Sequence, residues 1–276
     1  MARWIRFEHE GVAAFGALQD DRIVIHRGDL FGAHEPTGEQ VALEAVRVLT
    51  PCVPTKFIGL WNNDRPNAEK QGLSHPQHPL YFIKAPSSHR AHGEAIHAPP
   101  WYDGRVIYEG ELGLVIGQRV SQADEAQAAA AIFGVTCIND VTALDLLNAD
   151  ASFAQWTRAK SFDGFGVFGP VIATGLDIAG LSVRTRVNGR ERQNFACSGM
   201  LFSAAQIVSA LSRDMTLEPG DVIACGTSLG ALPMRPGTEV EVEIEGVGVL
   251  KNTYAGPRSS HVGDTPVAVE SAASSN

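Results

Sequence analysis

Residues 106–117 read VIYEGELGLVIG, and this stretch decides the architecture. Apolar and polar residues alternate through its first half and a continuous apolar run fills its second, which predicts a strand that enters a core. Residues two apart in a strand share a face, so Glu109 and Glu111 project together. Gly110 between them leaves the opposite face open to close approach. Two carboxylates on one face repel unless a positive charge lies between them. A hard cation such as Mg²⁺ answers that need, because it takes oxygen ligands in octahedral array. The competing reading of a bare Glu-x-Glu is a solvated strand edge, and the apolar run LGLVIG weighs against it.

Working outward, the run CIND places Asp140 at the end of an apolar strand, where it is either a third oxygen ligand or a helix N-cap for the segment from Val141. Lys160, in RAKSFD, precedes the Gly-rich stretch GFGVFGP that would wrap a pocket rim. A lysine beside a metal-bound oxyanion stabilises negative charge or moves a proton; its commoner fate is a solvated surface position.

Further strands are expected at KFIGLW, LYFIKAP, VTCIND, GPVIAT, LSVRTRVNG, RQNFACS, VIACGTS and TEVEVEIEGVGVLKNTY, with Asn188-Gly189 as a tight turn. QADEAQAAAAIFG reads as an Ala-rich helix capped by Ser121 and ending near Gly134, and LFSAAQIVSALSRDM as a second helix. FGALQDDRIVIHRGDLFG suggests a hairpin, and GEQVALEAVRVLTP has apolar residues at helical spacing. The stretch 62–79, with Pro66, Pro76 and Pro79, reads as irregular. Strands without regular helix alternation point to a β-rich α+β chain and away from a Rossmann or TIM-barrel layout. GTSLGA, at 226–231, lacks the lysine of a phosphate-binding P-loop.

A net charge of −9 argues against a nucleic-acid partner. No apolar run approaches the roughly 18 residues that cross a bilayer. The start, MARWIRFEHEG, carries charges where a signal peptide has its apolar core, so a cytoplasmic protein is expected. The four cysteines show no CxxC spacing and are expected to be buried apolar residues.

Taken in order, KFIGL, PLYFIKAPSS, YEGELGLVIG, GVTCINDVTA, WTRAKSFDGFGVFGP, VNGRERQ, LEPGDVIACGTSLG and VEVEIEGVGVLKN resemble the fumarylacetoacetate hydrolase family. The resemblance implies a mixed β-sandwich roll of that family's C-terminal type, as a homodimer. It implies a catalytic metal-binding domain at 53–255; the residues before it read as an accessory segment at 1–52, and the Ser-, Pro- and Ala-rich residues after it as a disordered tail at 256–276. It implies Mg²⁺ (Mn²⁺ or Ca²⁺ in some members) on Glu109, Glu111 and Asp140, with Lys160 catalytic beside a small 2-oxo acid. Thr227 would contact the substrate carboxylate, and Lys84 matches a lysine near the site. The implied activity is hydrolytic C–C cleavage of an acylpyruvate through a metal-bound enolate.

Two positions depart from the pattern. Hydrolytic members carry a water-activating His followed three residues later by Glu, and here those positions are Arg65 and Ala68. Arginine cannot act as a base near neutral pH; Arg65 either binds a substrate carboxylate or is an exposed loop residue. Leu144 stands where many members have Arg. Without the dyad, decarboxylation or keto–enol isomerisation of a 2-oxo dicarboxylate is the alternative, and a silent binding protein is the third reading.

Overall fold

The strand Gly110–Ile116 is buried at every position. It pairs antiparallel with Ile132–Asp140 on one side and Val222–Ala224 on the other. A strand covered on both faces must be apolar along its length, which is what LGLVIG supplies. The structure, a computed structural model, describes residues 1–258. Among them, this strand is central to a mixed sheet of 12 strands. In one direction the sheet runs through Ile132–Asp140 and Gly166–Thr174 to a meander of Ala2–His9, Val12–Gln19, Arg22–Gly28 and His34–Ala42. In the other it passes Val222–Ala224 and Phe57–Trp61 and ends on the edge strand Leu80–Lys84.

A second sheet orders Arg190–Ala196, Ser182–Val187, Thr238–Ile244, Gly248–Pro257 and Ile96–Ala98. Thr238–Ile244 alternates strictly: Val240, Val242 and Ile244 join the core with Leu112 and Leu114. Its glutamates face outward, where Glu239 meets Lys251 at 2.8 Å and Glu243 meets Arg186 at 2.7 Å. Asn188 and Gly189 take φ of 49° and 74°, the left-handed pair that a two-residue hairpin requires. The helix Ala204–Asp214 is closed by a Ser203–Gln206 capping box and buries Ile207, Val208 and Leu211. The β-rich α+β sandwich expected from the sequence is the architecture found.

Four local expectations need correction. The helix over 122–134 is only Glu125–Ala131, capped by Asp124 rather than Ser121, because Asp124 and Gln127 close a reciprocal box. Ile132 and Phe133 leave it for the strand Ile132–Asp140, where Gly134 lies close against the Ala173 carbonyl. The helical spacing over 38–51 does not form an α-helix: His34–Ala42 and Arg47–Val48 are strands joined by the short turn Leu43–Ala45. Pairing of Arg47–Val48 with Ala2–His9 overrides the spacing. The irregular stretch 62–79 contains a helix, Arg65–Gln71, capped by Asp64 and stopped by left-handed Gly72. Pro66 sits in its first turn, where no backbone N–H is needed. Finally, strand structure continues to Pro257, and the rest of the tail expected from 256, apart from Arg258, lies outside the described residues.

Asp221 locks the strand Phe57–Trp61 to the turn that leads into Val222–Ala224. Its buried carboxylate accepts from Thr55 Oγ1 at 2.7 Å, Lys56 N at 2.8 Å and Glu218 N at 2.8 Å, and pairs with Lys56 Nζ at 2.7 Å. Asp221→Ala removes every acceptor at once and is expected to cost about 3–5 kcal/mol. The shift of the urea midpoint measures it.

Candidate active site and metal centre

The register of two strands builds the centre. Gly110 pairs with Asn139 and Glu111 with Ile138, so the chain end carrying Asp140 lies beside Glu109. The Asp140 N–H donates to the Glu109 carbonyl at 2.8 Å, and the Glu109 N–H to Asn139 Oδ1 at 3.1 Å. One carboxylate oxygen from each of Glu109, Glu111 and Asp140 lies within 4.8 Å of the others. Gly110 makes the approach possible from behind, because a Cβ there would strike Thr185 Oγ1 and come within 3.2 Å of Gln193 Oε1.

Two lysines from elsewhere in the fold enter this cluster. Lys160, at the end of the helix Trp156–Lys160, donates to Glu109 Oε2 and Asp140 Oδ2, both at 2.6 Å. Lys84, the last residue of the edge strand, is wholly buried; it donates to Asp140 Oδ1 and, at 3.3 Å, to the Val141 carbonyl. Thr142 Oγ1 donates to Glu109 Oε1 at 3.0 Å, and the Gly226 N–H donates to Glu111 Oε2 at 2.6 Å. Asp140 is therefore not a helix cap.

The electrostatics are unbalanced in one place. Burial opposes ionisation of Asp140, but Lys160 and Lys84 outweigh it and hold its carboxyl below the usual range. Burial works against the Lys160 ammonium as well, yet Asp140 and Glu109 hold it above its ordinary value. Burial draws Lys84 below its ordinary value, with Asp140 offsetting part of the effect. Burial raises Glu109, Lys160 opposing and Asp140 adding. Glu111 is pushed well up by burial and by the carboxylates of Asp140 and Glu109. Among the described residues, no cationic side chain lies within ion-pair distance of Glu111. Three buried carboxylates thus share two lysines, and the donor set is all oxygen. That set fits a hard divalent cation.

The cluster opens into a cavity of about 270 Å³ whose wall includes Glu109, Lys160, Thr142, Leu144 and Thr227. A larger cavity, about 650 Å³, lies by Ile132, Phe133 and Ile178, and Asp177 is its one charged lining residue; the chemistry converges on the smaller space. The hydroxyl of Thr227 donates to the Gly110 carbonyl at 2.9 Å and accepts from Gln193 Nε2 at 2.8 Å. Contact with a substrate carboxylate therefore requires that hydroxyl to swing off Gly110. Arg65 is not brought to the site: it is exposed at the start of its helix and does not line the cavity. His75 and His78 are exposed and absent from the wall too, and Ala68 is buried. Thr142 and Gln193 are supporting residues that sequence reasoning missed. Both lie inside stretches that carry the resemblance, but neither type signals a role without its partners. All four cysteines are buried and unpaired, as expected.

The β-rich fold thus brings three carboxylates and two lysines together at the floor of one pocket, an oxygen donor set that a divalent cation fits. The chain belongs to the family described as fumarylacetoacetate (FAA) hydrolase C-terminal, whose model matches residues 56–255; residues 2–51 match an Rv2993c-like N-terminal model. An uncharacterized protein of Archaeoglobus fulgidus is 44% identical over 216 residues, 78% of this chain and 85% of that one. The oxaloacetate tautomerase of Bacillus subtilis is 33% identical over 253 residues, 85% of this chain and 83% of that one. The crystal structure of 2-hydroxyhepta-2,4-diene-1,7-dioate isomerase from Mycobacterium marinum superposes with a TM-score of 0.84 at 33% identity, covering 93% of this chain and 99% of that one. No helix among the described residues is long and apolar enough to cross a membrane.

Behind the centre, His89 lies against the Phe57 and Phe168 rings, with Nε2 buried and unpartnered among the described residues. Burial first, and then Lys84, pull its pKa down to about 4. In the unfolded chain a histidine titrates near ~6.5. The folded value is the lower one, so this contribution to stability is present in full above about 6.5 and is lost as pH falls toward about 4. His89→Gln is expected to lose less stability than the parent between pH 7 and pH 4.5, read as the shift in urea midpoint.

Proposed function

We propose that this chain is a divalent-cation-dependent enzyme that moves a proton on a small 2-oxo acid, a keto–enol tautomerase or isomerase. The observation that carries the reading is the make-up of the cavity wall. Among the described lining residues the ionisable side chains are Glu109 and Lys160, and no histidine is among them. Hydrolytic C–C cleavage needs a group that deprotonates water. A proton shift needs no activated water: one group that gives a proton to one substrate atom and takes one from the other suffices, with charge stabilisation of the enolate between the two. The named tautomerase and isomerase relatives support the same choice.

Glu109, Glu111 and Asp140 would hold the cation, Mg²⁺ being the first candidate and Mn²⁺ or Ca²⁺ alternatives. When bound, the cation supplies Lewis acidity toward a 2-oxo group. Lys160 lines the cavity and its ammonium is held by two carboxylates, so it serves as a positive charge and proton donor at Nζ, and the amine left after donation takes the proton released from the substrate's other atom. Lys84 is too deeply buried to meet substrate and acts by orienting Asp140. Thr142 fixes one oxygen of Glu109, leaving the other toward Lys160. Retention of this whole set argues against a silent binding protein.

With Mg²⁺ or Mn²⁺ present, an enolisable 2-oxo acid such as phenylpyruvate is expected to change its ultraviolet absorbance toward the keto–enol equilibrium at unchanged mass. Release of two acids from an acylpyruvate, with no effect on tautomerisation, would overturn the proposal in favour of hydrolysis. Lys160→Met is expected to lower turnover by about 10²–10³-fold while the protein stays folded by circular dichroism. Glu109→Gln is expected to abolish turnover at any Mg²⁺ concentration.

A further inference from the structure

The catalytic cavity does not end at its polar floor. Beside it lies a second space of about 480 Å³, and the two share the walls Trp61, Phe82, Leu147 and Trp156. The shared wall is an aromatic shelf that begins at the reactive lysine. Lys160 Nζ sits 5.0 Å from the Phe82 ring centroid. Phe82 stacks on Trp156 at 5.4 Å with an interplanar angle of 14°, and Trp156 meets Trp61 at 5.8 Å. Leu80 and Tyr81 of the edge strand and Asn148 complete the annex, and no charged side chain lines it.

A second carboxylate would find no cation in either space. The one ammonium in the catalytic cavity is Lys160, already bonded to Glu109 and Asp140. Leu144 and Leu147 stand on the wall facing it. Arg65 and Lys70, on the helix Arg65–Gln71, line neither space, and Arg158 stacks on Trp101 at 5.7 Å. A carboxylate carried into this annex loses hydration and meets one neutral amide, Asn148, and no cation. An aryl or alkyl group gains burial against three aromatic rings.

We infer that the annex takes the distal end of the substrate, and that this end is an uncharged aryl or alkyl group rather than a second carboxylate. The inference rests on the 2-oxo acid reading and narrows it to monocarboxylates with an apolar tail. Trp61, Leu147 and Trp156 are then specificity-determining residues, and Phe82 joins the tail subsite to the reacting end.

The test is calorimetric titration of the Mg²⁺-loaded full chain with 2-oxo-4-phenylbutanoate, 2-oxohexanedioate and pyruvate. The phenyl compound is expected to bind at least about tenfold more tightly than the other two. Pyruvate binding with equal or tighter binding of the dioate overturns this inference and leaves the proposed function standing. Failure of all three to bind overturns both. Leu147→Arg is expected to reverse the order of the two long compounds, and Leu80→Arg, at a 40% exposed position that tolerates charge, to narrow the gap in the same direction. An undiminished phenyl preference in the folded Leu80→Arg protein contradicts the annex as the tail site.

Discussion

The constraint on which the rest depends is a charge imbalance at one cluster: the buried carboxylates of Glu111 and Asp140 and the half-buried one of Glu109 against two buried ammonium groups. Isolated ions are not stable in such a place, so every member must be held by partners with exact reach. The chain meets this by drawing on separate elements. Glu109 and Glu111 flank the start of the central strand, and Asp140 ends its antiparallel neighbour. Lys84 comes from the sheet edge and Lys160 from a short helix. The continuous apolar run beyond Glu111 is part of the same solution, because it fixes the register that brings Asp140 to Glu109. Glu111 is the member left with a backbone N–H as its only hydrogen-bond donor among the described residues, a setting that a divalent cation would balance.

The same imbalance shapes the chemistry. Lys160 gives two of its three N–H bonds to carboxylates, and under the proposed function its charge and remaining N–H face the substrate. The wall around it is amide, hydroxyl and apolar. Under the proposed function such a pocket would stabilise an enolate-like charge, and no histidine is among its described lining residues. On the inference of a tail subsite, the aromatic shelf extending from Phe82 would receive the unreactive end of the substrate.

The centre was legible in the sequence because its geometry is local. A Glu-x-Glu in an apolar strand and a carboxylate ending another are short-range patterns, and the two strands are neighbours in space as well as in the ordered motifs. The β-rich class was legible for a similar reason, as in the strict alternation of Thr238–Ile244. What failed was decided by distant partners. The helical spacing near Val41 yields to sheet pairing, since Val41 packs with Ile5, Phe7 and Ile23 in the main core. The helix Arg65–Gln71 was hidden by prolines, although Asp64, Pro66 and Gly72 are cap, first-turn and stop signals in proper order. The expectation for Arg65 rested on its place in a motif, and the helix turns it to solvent. Thr142 and Gln193 could not be read as site residues, because their roles exist only through bonds made to Glu109, Gly110 and Thr227.

The central claim is that Glu109, Glu111 and Asp140 form one divalent-cation site. Titration of the full chain with Mn²⁺, followed by the loss of the free-ion electron paramagnetic resonance signal, tests it directly. The account predicts one saturable site per chain in the parent protein and its loss in Glu111→Gln, whose fold should persist because the amide still accepts from the Gly226 N–H. Saturable binding undiminished in Glu111→Gln, or no saturable binding in the parent, would contradict it.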